Sequence, residues 1–469
     1  MANFGSWAPD LPQFGHEGLV LARNVYPGAL GYEPFRALTP ITAALPYDWR
    51  GGSAFDDLTG GSALVAGTDS GLYAYIGGAW VSKKSGSFSG KWDFAQFGDT
   101  IIGVHGDAPI KYTMSSATGA DLGGSPPDAS MIAIVRDFVF LAGDQTDFSK
   151  VTWSAVNDCE GWTVGTHQCD EQIIPDGGDI TGLAGGEYGI VFQRSAISVF
   201  EYVGSPLIFT RRKISDTIGA VCQGGIAQAG KMVFFLSNRG FFLFNDGELT
   251  PIGKDRVDRT FFAAYSVLQI QTDLRVAIHP NLNLVMWSMP GRVWIYNWGA
   301  DKWSDLTIAD MIGITTGRTG YVTLDALAAD YPSGTDTVAL GTDDPLFGGG
   351  DPLLLIAKRD KKLHTFGAAG KLPATLRMAR FEPFPTFDAH IRSVRIVGDV
   401  GSGVSVKVDC ASRLSDPEIS SATADLRANG DLPILARGRF LQPEINTTAD
   451  TAWSYVIGLE VEGTQGGRL

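Results

Sequence analysis

Short runs of β-branched and aromatic residues recur along this chain in pairs, and each pair is split by Gly, Asn or Asp. The clearest occupy 63–82 (ALVAGTDSGLYAYIGGAWVS), 100–114 (TIIGVHGDAPIKYTM) and 130–144 (SMIAIVRDFVFLAGD). Others follow at 188–204, 231–253 and 283–306, turning at Asn238-Arg239-Gly240, Asn245-Asp246-Gly247 and Met289-Pro290-Gly291. Apolar alternation interrupted by such breakers is the signature of β-hairpins. Equivalent positions lie about 40 to 50 residues apart, the length of one four-stranded propeller blade. The pattern predicts an all-β chain with a β-propeller over 41–384, six blades being favoured and seven allowed, because ring closure commonly combines strands from both ends. Helical periodicity is confined to short stretches near 255–264 (DRVDRTFFAA) and 306–313 (LTIADMIG).

Three regions depart from the hairpin pattern. Residues 321–352 are polar and Gly-rich and read as a long irregular excursion inside the last unit, with strands resuming at 353–366 (LLLIAKRDKKLHTF). After the proline-rich 381–387 (FEPFPTF), strict alternation of Val394 and Ile396, then Val404, Val406 and Val408, predicts a separate C-terminal antiparallel, β-sandwich-like platform domain over 388–469. Residues 1–40 carry a breaker every few positions, yet include Leu11, Phe14, Leu19, Val25, Tyr32 and Phe35. They read as an extended N-terminal arm that buries these side chains on its own propeller or on a neighbouring subunit.

The stretch 292–306 (RVWIYNWGADKWSDL) concentrates Trp294, Tyr296, Trp298 and Trp303. Such a group can be a ligand platform or a packing element. Alternation puts Trp294 and Tyr296 on one strand face with Ile295 on the other, so packing between blades is the favoured reading.

Composition narrows the function classes. In 469 residues, 37 Lys and Arg face 51 Asp and Glu, a net charge of −14 that opposes general attraction to nucleic acid or acidic membranes. Gly numbers 59, which is consistent with many turns. Cys159, Cys169, Cys222 and Cys410 are too few and too scattered for a disulfide scaffold. The start lacks a signal-peptide pattern, and charges interrupt every apolar run before the ~18 residues a membrane helix needs. The expectation is a soluble protein, folded in a cytoplasm, without membrane insertion.

Enzyme motifs are weak. Gly225–Met232 (GIAQAGKM) has the glycine spacing of a phosphate loop, but Met232 stands where Ser or Thr binds magnesium and a strand follows instead of a helix. Cys159, His167 and Cys169 are close in sequence but lack a fourth ligand. His16-Glu17 does not extend to a zincin motif, and no nucleophile elbow occurs. The turn at 66–75 (AGTDSGLYAY) superficially resembles the Asp-containing turns of sialidase propellers, but it occurs once. Two basic stretches, 210–215 (TRRKIS) and 358–364 (KRDKKLH), are either solvated strand edges or docking points for an acidic partner, and Asn446 matches a glycosylation acceptor incidentally. No catalytic, cofactor-binding or metal-binding residue is assigned, and the chain is read as a non-enzyme.

Both ends carry a resemblance. Residues 9–35 (PDLPQFGHEGLVLARNVYPGALGYEPF) combine Pro-Asp, Gly-Leu, Ala-x-Asn-Val and Gly-Tyr-x-Pro, and 438–469 combine a Gly-Arg-aromatic strand, a Trp, Gly-x-Glu-Val and Gly-Gly-Arg. With 323–327 (TLDAL) and 344–367, these resemble the propeller-type tail nozzle or hub proteins of short-tailed bacteriophages. The resemblance implies a virion structural protein, assembled in the bacterial host cytoplasm. It further implies a homo-oligomeric ring, a hexamer, below the portal and adaptor proteins, beside tail fibre or spike proteins. Packaged DNA would be retained and then released through the lumen without specific binding. The family brings no catalytic residues. The alternative is a receptor- or carbohydrate-binding propeller of a phage tail, with a propeller glycosidase behind it.

Overall fold

In the computed structural model, residues 2–56, 62–318, 352–427 and 429–468 are described. Their hairpins assemble into seven four-stranded antiparallel units, six of them separate sheets and the sixth in chain order part of a ten-stranded sheet. The first runs Gly51–Asp56, Ser62–Gly67, Gly71–Ile76 and Ala79–Ser85. The next five open with Asp93–Phe97, Met131–Val135, Ile180–Ala184, Ile226–Ala229 and Arg275–Ile278. The seventh joins Met311–Arg318, Pro352–Lys358 and Leu363–Lys371 to Arg36–Pro40 from the other end of the chain. Opening strands of consecutive sheets lie side by side. Met311–Arg318 returns against Gly51–Asp56, where the Thr315 hydroxyl donates to the Gly52 carbonyl. The fold is a β-propeller.

Seven such units stand among the described residues, the number allowed beside the favoured six. The fourth strand of the closing unit comes from the segment expected to be an irregular arm. Its Pro40 sits at the end of an outermost strand, where a missing N–H costs little. The excursion expected at 321–352 lies outside the described residues except for Pro352.

Alternation buries both faces of a blade. In Arg292–Asn297, Val293 and Ile295 pack with Ile314, Leu354 and Ile356 of the seventh sheet. Trp294 and Tyr296 point the other way, with Phe234 and Phe241 of the fifth sheet in the same cluster. Between the fifth and sixth sheets stand two short helices, α1 (Asp258–Ala264) and α2 (Val267–Asp273). Ser266 and Gln269 form a capping box on α2, while α1 has no cap from its own N-cap residue Val257. The stretch 306–313 is not helical: it ends one strand at Thr307 and begins the next at Met311, turning at Asp310 with φ 60°.

The C-terminal region is a two-sheet sandwich, and the arm is built into it. One sheet has the order Val25–Pro27, Tyr32–Pro34, Trp453–Arg468, Phe387–Val400, Asp431–Gly438, with Ala2–Asn3 also on Trp453–Arg468. The other continues from the outer strand of the sixth propeller sheet through Leu19–Arg23, Thr375–Met378 and Phe440–Thr447 to Val404–Ala411. Val394, Ile396, Val404, Val406 and Val408 all turn into one core with Leu432, Leu441 and Leu459. The boundary expected at 381–387 comes later than the structural one, since Thr375–Met378 already belongs to the sandwich. The arm, expected to be extended and irregular, supplies strands to three sheets of its own chain.

Candidate functional site

Each sheet runs from its inner to its outer strand in chain order, the seventh borrowing its last, so all seven opening strands begin at the same end of the ring. Residues of these strands and of the connections before and after them line an open axial cavity of about 890 Å³. Close approach is required at its rim: a side chain on Gly90 would strike the His105 carbonyl.

Polar side chains cross this cavity. Lys91, ahead of the second sheet, donates from Nζ to the Gln271 carbonyl in α2 at 2.7 Å. Arg275, opening the sixth sheet, donates from Nη1 to the Leu274 carbonyl at 3.0 Å and from Nη2 to the Arg50 carbonyl at 3.4 Å. Carbonyls at the end of a helix favour cations. Burial, and after it the charge of Arg275, pulls the Lys91 ammonium down to about 7, and burial pulls Arg275 down to about 10. Asp93 accepts from the Phe94 and Ile132 N–H groups at 3.0 and 3.4 Å and from the Gln223 side chain. Desolvation nevertheless pushes its carboxyl up to about 6. Burial also raises the Cys222 thiol and lowers His105.

A second cluster joins the arm, the sixth sheet and the sandwich, and it contains residues of the terminal motifs. Asp10, of Pro-Asp, supplies the missing cap of α1 by accepting from the N–H groups of Arg259 and Thr260, each at 2.7 Å. Asn24, of Ala-x-Asn-Val, has φ 59° and knots three segments together. Its N–H donates to the Asp305 carbonyl at 2.8 Å, its Oδ1 accepts from Thr307 at 2.9 Å and its Nδ2 donates to Pro373 at 2.7 Å. Tyr32, of Gly-Tyr-x-Pro, is fully buried; its hydroxyl donates toward the carbonyls of Gly5 and Trp303 and accepts from the Trp7 N–H at 3.1 Å. Beside them Arg292 donates to the buried Asp305 carboxylate at 3.0 Å.

The aromatic cluster is interior. Trp294 and Trp303 have no exposed surface. Trp294 packs on Trp7 at 5.1 Å and on Phe261 of α1 at 5.3 Å, and Trp303 donates from Nε1 to the Ile252 carbonyl at 2.9 Å. No face is left for a ligand. Gly225–Met232 spans the hairpin of Ile226–Ala229 and Met232–Ser237, with no helix to receive a phosphate. His167 is exposed while Cys169 is buried, its thiol pushed up to about 11 by burial, and no group of three metal-capable side chains converges among the described residues. The basic run 210–215 is neutralised in place: Arg211 and Lys213 pair with Asp176, and Arg212 with Glu201. In the other, His364 pairs with Asp360.

No protein-family model matches the sequence, and no curated protein matches it. Solved structures that align with it include the Pan2 WD40 domain of Neurospora crassa, at 11% identity over 70% of this chain and 94% of that one, TM-score 0.42. The N-terminal domain of Nup159 aligns at 8% identity over 73% and 98%, TM-score 0.39. The extracellular domain of BT4673 from B. thetaiotaomicron aligns at 7% identity over 78% of this chain and 44% of that one, TM-score 0.42. The propeller assignment rests on the sheet topology described above.

Neither Lys91, Asp93 nor Arg275 stands out in the sequence. They lie beside apolar strand residues, and a single strand pattern does not reveal which end faces the axis. Asp10, Asn24 and Tyr32 are visible as motif members, but their partners are remote in sequence.

Proposed function

We propose that this chain is a structural component of a short-tailed phage virion, a nozzle or hub subunit that forms a ring below the portal and adaptor. One observation carries the reading: the two terminal segments that bear the resemblance, far apart in sequence, meet in one composite unit. Tyr32 pairs with Val456, and Phe14 packs on Phe440 at 5.2 Å. A motif pair that closes one unit is what a shared architecture requires, and it calls for no catalytic group.

The propeller axis itself is a poor passage for DNA. Lys91, Asp93, Gln223 and Arg275 reach across it, and its cations would hold a sliding phosphate chain instead of releasing it. In this reading the lumen lies between copies of the chain, lined by the acidic excess that the net charge of −14 provides. Tail fibres or spikes would attach to the outer faces. The test is the native mass of the purified protein, alone and mixed with candidate portal and adaptor proteins. A closed ring that binds the adaptor supports the reading, and a strict monomer that ignores both overturns it.

A second reading, a receptor- or carbohydrate-binding propeller of a tail, is favoured by the open axial cavity. Glycan-array binding by a monomer would support it. A glycosidase has less support, because of the carboxylates lining that cavity Asp179 is held by Arg194 at 2.6 Å, leaving Asp93 without a free partner acid.

A further inference from the structure

The axial cavity holds two cations that form no ion pair with a carboxylate among the described residues. The hydrogen-bond partners of Lys91 and Arg275 are main-chain carbonyls, which leave donors of both groups unused. The half-exposed Phe148 ring lines the same space and offers an apolar surface.

We propose that the axial cavity is a binding site for a small organic oxyanion, a carboxylate or phosphate on a compact body, held by Lys91 and Arg275. The volume of about 890 Å³ is far larger than a bare ion needs. It falls in the range of roughly 300 to 1,000 Å³ typical of small-molecule sites. Charge-assisted hydrogen bonds from an ammonium and a guanidinium would hold the anionic end. Asp93 stands against a guest charge, and its removal relieves that opposition. The site belongs to the single chain, so it stands or falls independently of ring formation.

Calorimetric titration of the full chain with glucuronate, glucose 6-phosphate and glucose tests this. The expected result is binding of at least one charged sugar and none of glucose, the stronger of the two identifying a carboxylate or a phosphate as the preferred group. Lys91→Met and Arg275→Gln should each weaken binding about tenfold or more, and Asp93→Asn should leave it unchanged or tighter. Arg275 also supports the end of α2, so if its variant fails to fold, Lys91→Met decides. Wild-type protein that binds neither anion, or binds glucose equally well, overturns the proposal. So does a folded Lys91→Met that binds the anion as tightly as wild type.

Discussion

The Asp10 carboxylate caps Thr260, accepting from its N–H at 2.7 Å and from its hydroxyl at 2.6 Å across a sequence separation of 250 residues. A helix whose own N-cap is valine thus depends on the arm for its first-turn N–H groups. Asp10→Ala should lower stability by about 1 to 2 kcal/mol, and Asp10→Asn by less, because an amide oxygen still accepts. Urea unfolding midpoints measure both. Equal losses for the two variants would show that the cap is not the source.

Asp258 lies beside that cap, and a pH dependence follows from it. Burial first, then the charges of Asp10 and Asp255, push its carboxyl from 3.8 up to about 7, against the Phe241 N–H that favours ionisation. Between those values the folded chain keeps a proton that the unfolded chain has lost. The stability from this group is complete below the lower value and disappears as pH rises through about 7. Asp258→Asn, which keeps an acceptor for Phe241, should therefore gain on wild type as pH rises from about 5 to 8. A constant difference in unfolding free energy over that interval would refute the assignment.

Asn24 combines a left-handed backbone with side-chain bonds to Thr307 and Pro373. Asn24→Gly keeps the conformation and loses the bonds, at about 1 to 3 kcal/mol. Asn24→Ala adds backbone strain of about 1 kcal/mol and should be the less stable variant. Because these bonds join the arm to the sixth sheet and the sandwich, limited proteolysis should cut the arm faster in both. Arm cleavage at the wild-type rate would mean that the knot does not hold it.

Trp294 separates the packing reading of the aromatic cluster from the ligand reading. It is enclosed by Trp7, Phe261 and the Arg292 guanidinium 4.5 Å from its ring, and its N–H has no hydrogen-bond partner. Trp294→Ala should cost about 3 to 5 kcal/mol, as large-to-small changes in packed cores do. Trp294→Phe, which removes the orphaned N–H while keeping a ring, should cost less. Thermal unfolding checks this, and an alanine variant as stable as wild type would return the cluster to the surface.

The hairpins, their breakers and the alternation of Val394 to Val408 were legible in the sequence because strand periodicity is local: neighbouring residues alone decide which face is apolar. The same locality placed Trp294 and Tyr296 opposite Ile295, and both faces turned out to be buried. Tertiary structure alone decided the closing sheet, because Arg36–Pro40 becomes a strand only when Leu363–Lys371 offers it an edge. It also decided that the arm is woven into its own chain, since the partners of Asp10, Asn24 and Tyr32 lie hundreds of residues away and no spacing rule reaches them. The axial cluster was hidden for a related reason. Lys91, Asp93 and Arg275 are ordinary polar residues until ring closure turns the starts of seven strands toward one axis and withdraws water from their charges.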